Sequence, residues 1–146
     1  METKIMLDTD ILIDYLRRKP QPEAVEIFKG IEKRYYEAYV SSITVFEIYR
    51  GARLSPKPEK AMDAAQNVFN NLIILSFNEQ TAINASEIYV QLEKQGLPLE
   101  VRDVFIGAQA RITKLFLITK NTKHFERIPE LKFFTPQEFL KETTRA

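Results

Sequence analysis

The sequence predicts an α/β chain in which a mostly parallel sheet carries helices on both faces. Three observations predict it. Short runs of strand length recur along the chain and are apolar nearly throughout. They are continuous rather than alternating, as expected of strands buried on both sides. Between them lie segments whose apolar residues recur every three or four positions, and strands that alternate with helices build parallel sheets.

The elements follow in order. Ile5-Met6-Leu7 ends at Asp8 and reads as a buried strand. From Ile11 the spacing of Ile11, Leu12, Tyr15 and Leu16 is helical. That helix runs out at Arg17-Arg18-Lys19 before Pro20, since cations suit a last turn and the residue before proline disfavours helix. Residues 22–36 form a second helix on Val25, Ile27, Phe28 and Ile31, and Tyr39-Val40 is a short strand. Residues 42–54 are a helix with a hydroxyl available at its N-cap. Ser55-Pro56-Lys57-Pro58 turns the chain into another helix over 59–70. Residues 72–75 are a strand, and 79–94 a helix stopped by Gly96 and Pro98. The helix over 103–113 is apolar nearly all round and is expected to be buried. Residues 115–118 and 132–134 are strands, and 136–142 close the chain as a helix. With no internal repeat, 146 residues are expected to form a single domain over 1–146.

Composition removes several kinds of chemistry. No cysteine means no disulfide framework, thiolate metal site or cysteine nucleophile. One histidine, His124, excludes a multi-histidine zinc site. The four glycines (Gly30, Gly51, Gly96, Gly107) fit neither GxxxxGK[ST] nor GxGxxG. The net charge is +1, spread evenly over both halves, so bulk electrostatics does not announce a nucleic-acid partner. No apolar run approaches the roughly 20 residues of a membrane span, and Met1-Glu2-Thr3-Lys4 does not open a signal peptide, so a cytoplasmic protein without a membrane partner is expected. Carboxylates and hydroxyls remain for catalysis.

Sites in open parallel sheets lie beyond the carboxyl ends of the strands. Four polar residues stand where this geometry would gather them. Asp8 follows the first strand, Glu47 sits inside an otherwise apolar helix, Asp103 heads the most apolar helix, and Asn121 follows the strand over 115–118. Each also has a structural explanation. Asp8 and Asp103 can be helix N-caps, Glu47 can pair with Arg50 or Arg53, and Asn121 can be a turn residue. Glu47 is the hardest to explain so, because a carboxylate among apolar neighbours is costly unless paired or metal-bound. Asp10 and Asp14, four residues apart on one helix face, read as supporting groups.

Four stretches, in order, carry a family resemblance. Met6-Leu7-Asp8-Thr9-Asp10-Ile11-Leu12-Ile13-Asp14 is similar to an "LDTNILI" opening. Ser41-Ser42-Ile43-Thr44-Val45-Phe46-Glu47-Ile48-Tyr49-Arg50-Gly51 resembles "SxITxxELxxG". Asp103-Val104-Phe105-Ile106-Gly107-Ala108-Gln109-Ala110 resembles "DxxIAAxA", with Gly107 where alanine is usual. Leu117-Ile118-Thr119-Lys120-Asn121-Thr122-Lys123-His124-Phe125 resembles "LVTxNxxDF". Together they resemble the PIN-domain ribonucleases, and within them the VapC-like toxins of toxin–antitoxin pairs.

The resemblance implies a three-layer α/β/α sandwich with a central parallel sheet. It also implies that Asp8, Glu47 and Asp103 bind the metal, with Asn121 where many members carry a fourth acid, and His124 where Asp is frequent. A surface or capping imidazole is the plainer reading of His124. Clustered carboxylates without His or Cys suit a hard cation, Mg²⁺ or Mn²⁺. The chemistry would be hydrolysis of RNA by water, with Asn121 orienting a water or a looser second ion. Without a cation the carboxylates would repel one another. Thr9, Ser42 and Thr119 are candidates to orient carboxylates, and Arg17, Arg50, Arg102 and Lys120 to guide RNA. The resemblance further implies an antitoxin that lays a segment, with a basic side chain, across the acidic cleft, and a homodimer.

Two other readings compete. Asp8-Thr9-Asp10 after a strand is similar to the DxD start of haloacid dehalogenase-like phosphotransferases, but Ile11 follows where glycine is usual and the late acidic pair is missing. The second is a catalytically inactive PIN-like module that binds RNA or protein.

Overall fold

The computed structural model describes residues 3–144; Met1, Glu2, Arg145 and Ala146, included in the single-domain expectation, lie outside the described residues. Among the described residues, five strands form one sheet in the order β3-β2-β1-β4-β5. They are β1 (Thr3–Leu7), β2 (Tyr36–Ser41), β3 (Ile73–Leu75), β4 (Phe116–Ile118) and β5 (Phe133–Phe134). Every neighbouring pair is parallel.

Period-two alternation divides the core between the faces. Ile5, Leu7, Ala38, Val40 and Ile118 point to one side. There they pack on α1 (Thr9–Leu16), α2 (Pro22–Glu32), α3 (Ser42–Arg53), α4 (Pro58–Phe69) and α8 (Pro136–Thr144). Met6 and Leu117 point to the other side, against α5 (Glu79–Lys94), α6 (Val101–Thr113) and α7 (Thr122–Phe125). This is the expected three-layer α/β/α sandwich. Among the described residues, no helix is long and apolar enough to cross a membrane.

Chain order places the site. From β1 the chain moves outward through β2 to β3, then crosses to β4 on the opposite side of β1. Direction reverses between β1 and β4, and the crevice beyond Leu7 and Ile118 is the switch point where such folds bind ligands. The parallel ladder continues one residue into it: the Asp8 amide donates to Ile118 O (3.0 Å), and the Thr119 amide to Phe134 O (3.0 Å).

Several boundaries differ from the sequence expectation. The second helix stops at Glu32 rather than at residue 36, because Arg34 turns the chain with φ +61° and Tyr36 opens a longer β2. The helix bearing Asp103 starts at Val101, so Asp103 lies in its first turn and is not its N-cap. The turn-length α7 had no signal of its own.

Gly30 lies directly against the ring of Tyr36. A methyl there would overlap the ring of Tyr36. That ring cannot yield, since its hydroxyl donates to Ile27 O (2.7 Å) and its edge meets Phe139 (4.9 Å between centroids). Gly30→Ala is expected to destabilise the protein by about 1–3 kcal/mol, the usual cost of overpacking, without changing the urea m-value. Urea unfolding checks this, and an unchanged midpoint would contradict the packing.

Candidate active site

The crevice gathers carboxylates from three elements. Asp8 stands at the tip of β1 as the N-cap of α1 and is fully buried. Glu47 lies in α3, with about a quarter of its side chain exposed. Asp103, only 5% exposed, lies in the first turn of α6. The three meet around one cation, the guanidinium of Arg102. Its Nε donates to Glu47 Oε2 (2.8 Å), its Nη1 to Asp103 Oδ1 (2.7 Å) and its Nη2 to Asp8 Oδ1 (2.8 Å).

The second oxygen of each carboxylate is tied to the scaffold. Thr119 Oγ1 donates to Asp8 Oδ2 (2.8 Å), and Thr9 Oγ1 to Glu47 Oε1 (2.6 Å). His124 Nδ1 lies 2.9 Å from Asp103 Oδ2; an ionised carboxylate only accepts, so the Nδ1–H donates. Thr44 Oγ1 sits 2.9 Å from Thr9 Oγ1, and Thr9 has already given its one proton to Glu47, so Thr44 donates. Each acid thus presents one fixed oxygen inward.

The surroundings redistribute the expected roles. Arg102, expected to guide RNA, is the partner of all three acids, and it replaces Arg50 and Arg53 as the partner of Glu47. Burial works against its charge, but the hydrogen bonds and fields of Glu47, Asp8 and Asp103 outweigh that and hold it firmly protonated. The repulsion expected in the cation-free site is therefore compensated from within the chain. Lys120 and Arg17 both pair with the buried Asp14, at 2.7 and 3.5 Å. Arg50 is exposed, has no partner among the described residues, and lines a groove with Thr9, Phe46, Glu47 and Arg102.

Two candidates are not brought into the cluster by their side chains. Ser42 Oγ accepts from the Phe77 amide (3.1 Å) and so tethers the segment after β3. The α3 cap is Ser41, whose Oγ accepts from Ile43 N (3.0 Å). Asn121 joins through its backbone only: its amide donates to Thr119 Oγ1 (3.0 Å), while its exposed carboxamide makes no hydrogen bond among the described residues. Conversely, His124 enters the site despite being 47% exposed. Its signal was the i, i+3 spacing from Asn121 in the turn after a buried strand. Thr44 carried the same spacing before Glu47.

Asp10 shows which effect wins at a helix start. The first-turn dipole favours its charge. Burial, reinforced by the charge of Asp8, nevertheless pushes its carboxyl up to about 7, against the opposing Lys120 amide and the charges of Lys120 and Arg102. Asp10 Oδ1 is buried and has no hydrogen-bond partner among the described residues. A carboxyl raised on folding stabilises the protein when protonated and costs stability as pH rises from about 4 through about 7. In EDTA, Asp10→Asn is therefore expected to gain stability over wild type between pH 5 and pH 8, by on the order of a few kcal/mol. Chemical denaturation at both pH values tests this; a pH-independent difference would contradict it.

Comparison with known proteins assigns the family. A family model for the PIN domain matches residues 5–131. The chain belongs to the PIN domain family. Among PIN relatives, it is 35% identical over 129 residues to Ribonuclease VapC2 of Haemophilus influenzae, covering 88% of this chain and 95% of the relative. It is 30% identical over 129 residues to a tRNA(fMet)-specific endonuclease VapC of Salmonella typhimurium, with the same coverage. The fold is similar to DNA-bound VapBC from Salmonella typhimurium, with a TM-score of 0.82 and 30% identity over 93% of this chain and 99% of that one.

The donor set suits the hard divalent cation that the resemblance implies. Three carboxylates present oxygen, the ligand Mg²⁺ and Mn²⁺ prefer, and they already surround a cation. As placed, they rest on three separate nitrogens of a flat fork, and among the described residues no three acidic or histidine side chains are close enough for one ion. Asp8, Glu47 and Asp103 are the residues that would hold such an ion.

Proposed function

We propose that this PIN-domain chain is a ribonuclease of the VapC kind, dependent on Mg²⁺ or Mn²⁺, that hydrolyses RNA phosphodiesters. One observation carries the reading: Asp8, Glu47 and Asp103, from three different elements and each held by its outer oxygen, turn the other oxygen toward a single cation at the switch point. The relatives named ribonuclease and endonuclease support RNA as the substrate class.

Asp8, Glu47 and Asp103 would hold the ion. When bound, the ion supplies an activated water and a counter-charge for the phosphodiester. Thr119, Thr9 and His124 keep the carboxylates in register by holding their outer oxygens. Arg50, free on the groove wall, is suited to a phosphate oxygen of the RNA backbone. Asn121 has a free carboxamide two residues beyond Thr119, available to orient a water or a looser second ion.

Solved relatives that are VapBC complexes support a cognate antitoxin as partner. A segment crossing the groove would meet exposed Ile13, Phe46 and Val101 beside the acids. A second copy of the chain, a homodimer, belongs to the same reading.

Cleavage of a pool of structured RNAs with Mg²⁺, with Mn²⁺ and with EDTA tests the proposal. Cleavage with either ion and none in EDTA is expected. Equal cleavage in EDTA would contradict it. Tight, metal-independent RNA binding without cleavage would favour an inactive RNA-binding module.

A further inference from the structure

We propose that Arg102 is a built-in counter-ion of the carboxylate cluster, so that the Arg102 fork and a divalent cation exclude one another and the ion must displace the side chain to bind. The inference rests on the reading that these carboxylates hold a metal.

Four observations carry it. First, Arg102 holds one oxygen of each acid: Asp8 Oδ1, which also caps α1 by accepting from the Thr9 amide, Glu47 Oε2 and Asp103 Oδ1. The other three are committed to Thr119, Thr9 and His124. An ion held by the three acids from the groove side therefore competes with the fork for the same oxygens.

Second, Arg102 occupies the first turn of α6, one residue from the helix start. The helix dipole disfavours a cation there. The carboxylates, not the helix, hold the side chain inward.

Third, the acids need a cation. Asp8 is fully buried and Asp103 almost so, and the Lys120 ammonium is engaged by Asp14. Arg102 is the cation that all three acids share. A guanidinium that satisfies them in the absence of metal removes the repulsion that would otherwise splay the site.

Fourth, the way out is open. The Arg102 side chain is 26% exposed and lines the solvent-facing groove beside Arg50, Phe46 and the exposed Val101. It can leave without breaking the core. The fork then sets the cation concentration at which the site fills.

The experiment measures Mn²⁺ binding by the free-ion EPR signal in wild type, Arg102→Gln, Arg102→Lys and Asp8→Asn, with thermal unfolding of each in EDTA and in Mn²⁺. Arg102→Gln is expected to bind Mn²⁺ at least about tenfold more tightly than wild type. Arg102→Lys keeps the charge on a single nitrogen and loses the planar fork, so it falls between them. In EDTA, Arg102→Gln melts lower than wild type, and Mn²⁺ raises its Tm more than it raises that of wild type. A merely structural arginine would lower the Tm equally with and without Mn²⁺. If Arg102→Gln does not fold in EDTA, the Arg102→Lys affinity decides alone. Mn²⁺ binding that Asp8→Asn abolishes but the Arg102 variants do not tighten would overturn the counter-ion and leave the metal site standing. No Asp8-dependent binding in any folded protein would overturn the metal reading and, with it, the counter-ion.

Discussion

Asp8→Asn is expected to lower metal-dependent RNA cleavage by about a thousandfold while leaving the fold intact. Asparagine caps helices as well as aspartate does, so the bond from the Thr9 amide survives. The Thr119 hydroxyl can reverse and accept from the new amide. What disappears is the negative charge of a fully buried carboxylate whose Oδ1 faces the cation. A divalent ion contributes several kcal/mol of transition-state charge stabilisation, and each 1.36 kcal/mol is a factor of ten, so losing its anchor approaches about 10³-fold. Initial rates on structured RNA, with circular dichroism as the control for folding, give the comparison. A folded variant that cleaves at the wild-type rate would remove Asp8 from the site.

The second large effect is on stability. Phe125 is fully buried and among the largest side chains in the interior. It ends α7 and fills the space under α6 beside Gly107 and Ile128. A methyl on Gly107 would itself overlap the free end of Ile128, so the site leaves little slack. Phe125→Ala should cost about 3–5 kcal/mol, through lost transfer energy and the cavity left behind. For a chain of this size that is a fall in Tm of roughly 10 °C. Because α7 also carries His124, loosening it should weaken the hold on Asp103 and reduce cleavage even at temperatures where the variant is folded. Calorimetry gives the first quantity and an assay at low temperature the second. A Tm within about 2 °C of wild type would show that the core collapses into the gap.

The sheet and the three acids were legible because each acid interrupts an apolar pattern. Asp8 ends the run Ile5-Met6-Leu7, and Glu47 stands among Val45, Phe46, Ile48 and Tyr49. Asp103 was legible as a residue but not as a position, since α6 starts two residues earlier without a side-chain cap to mark it. The end of α2 was equally silent, because the turn at Arg34 uses neither glycine nor proline. Ser41 and Ser42 are adjacent hydroxyls, and only the backbone direction decides which one caps α3 and which one holds Phe77. Asn121 illustrates the limit of spacing arguments. Its place in the chain puts it at the end of β4, but the turn into α7 leaves its side chain outside the cluster. Arg102 was read as a group that guides RNA, because nothing local says otherwise. Its direction is set by three carboxylates that arrive from β1, α3 and its own helix.

A crystal soaked in Mn²⁺, with anomalous scattering recorded, tests the central claim most directly. The account predicts a peak bonded to Asp8, Glu47 and Asp103, with the Arg102 guanidinium moved out of the cluster. A protein that cleaves RNA in Mn²⁺ yet shows no peak between these three carboxylates would contradict it.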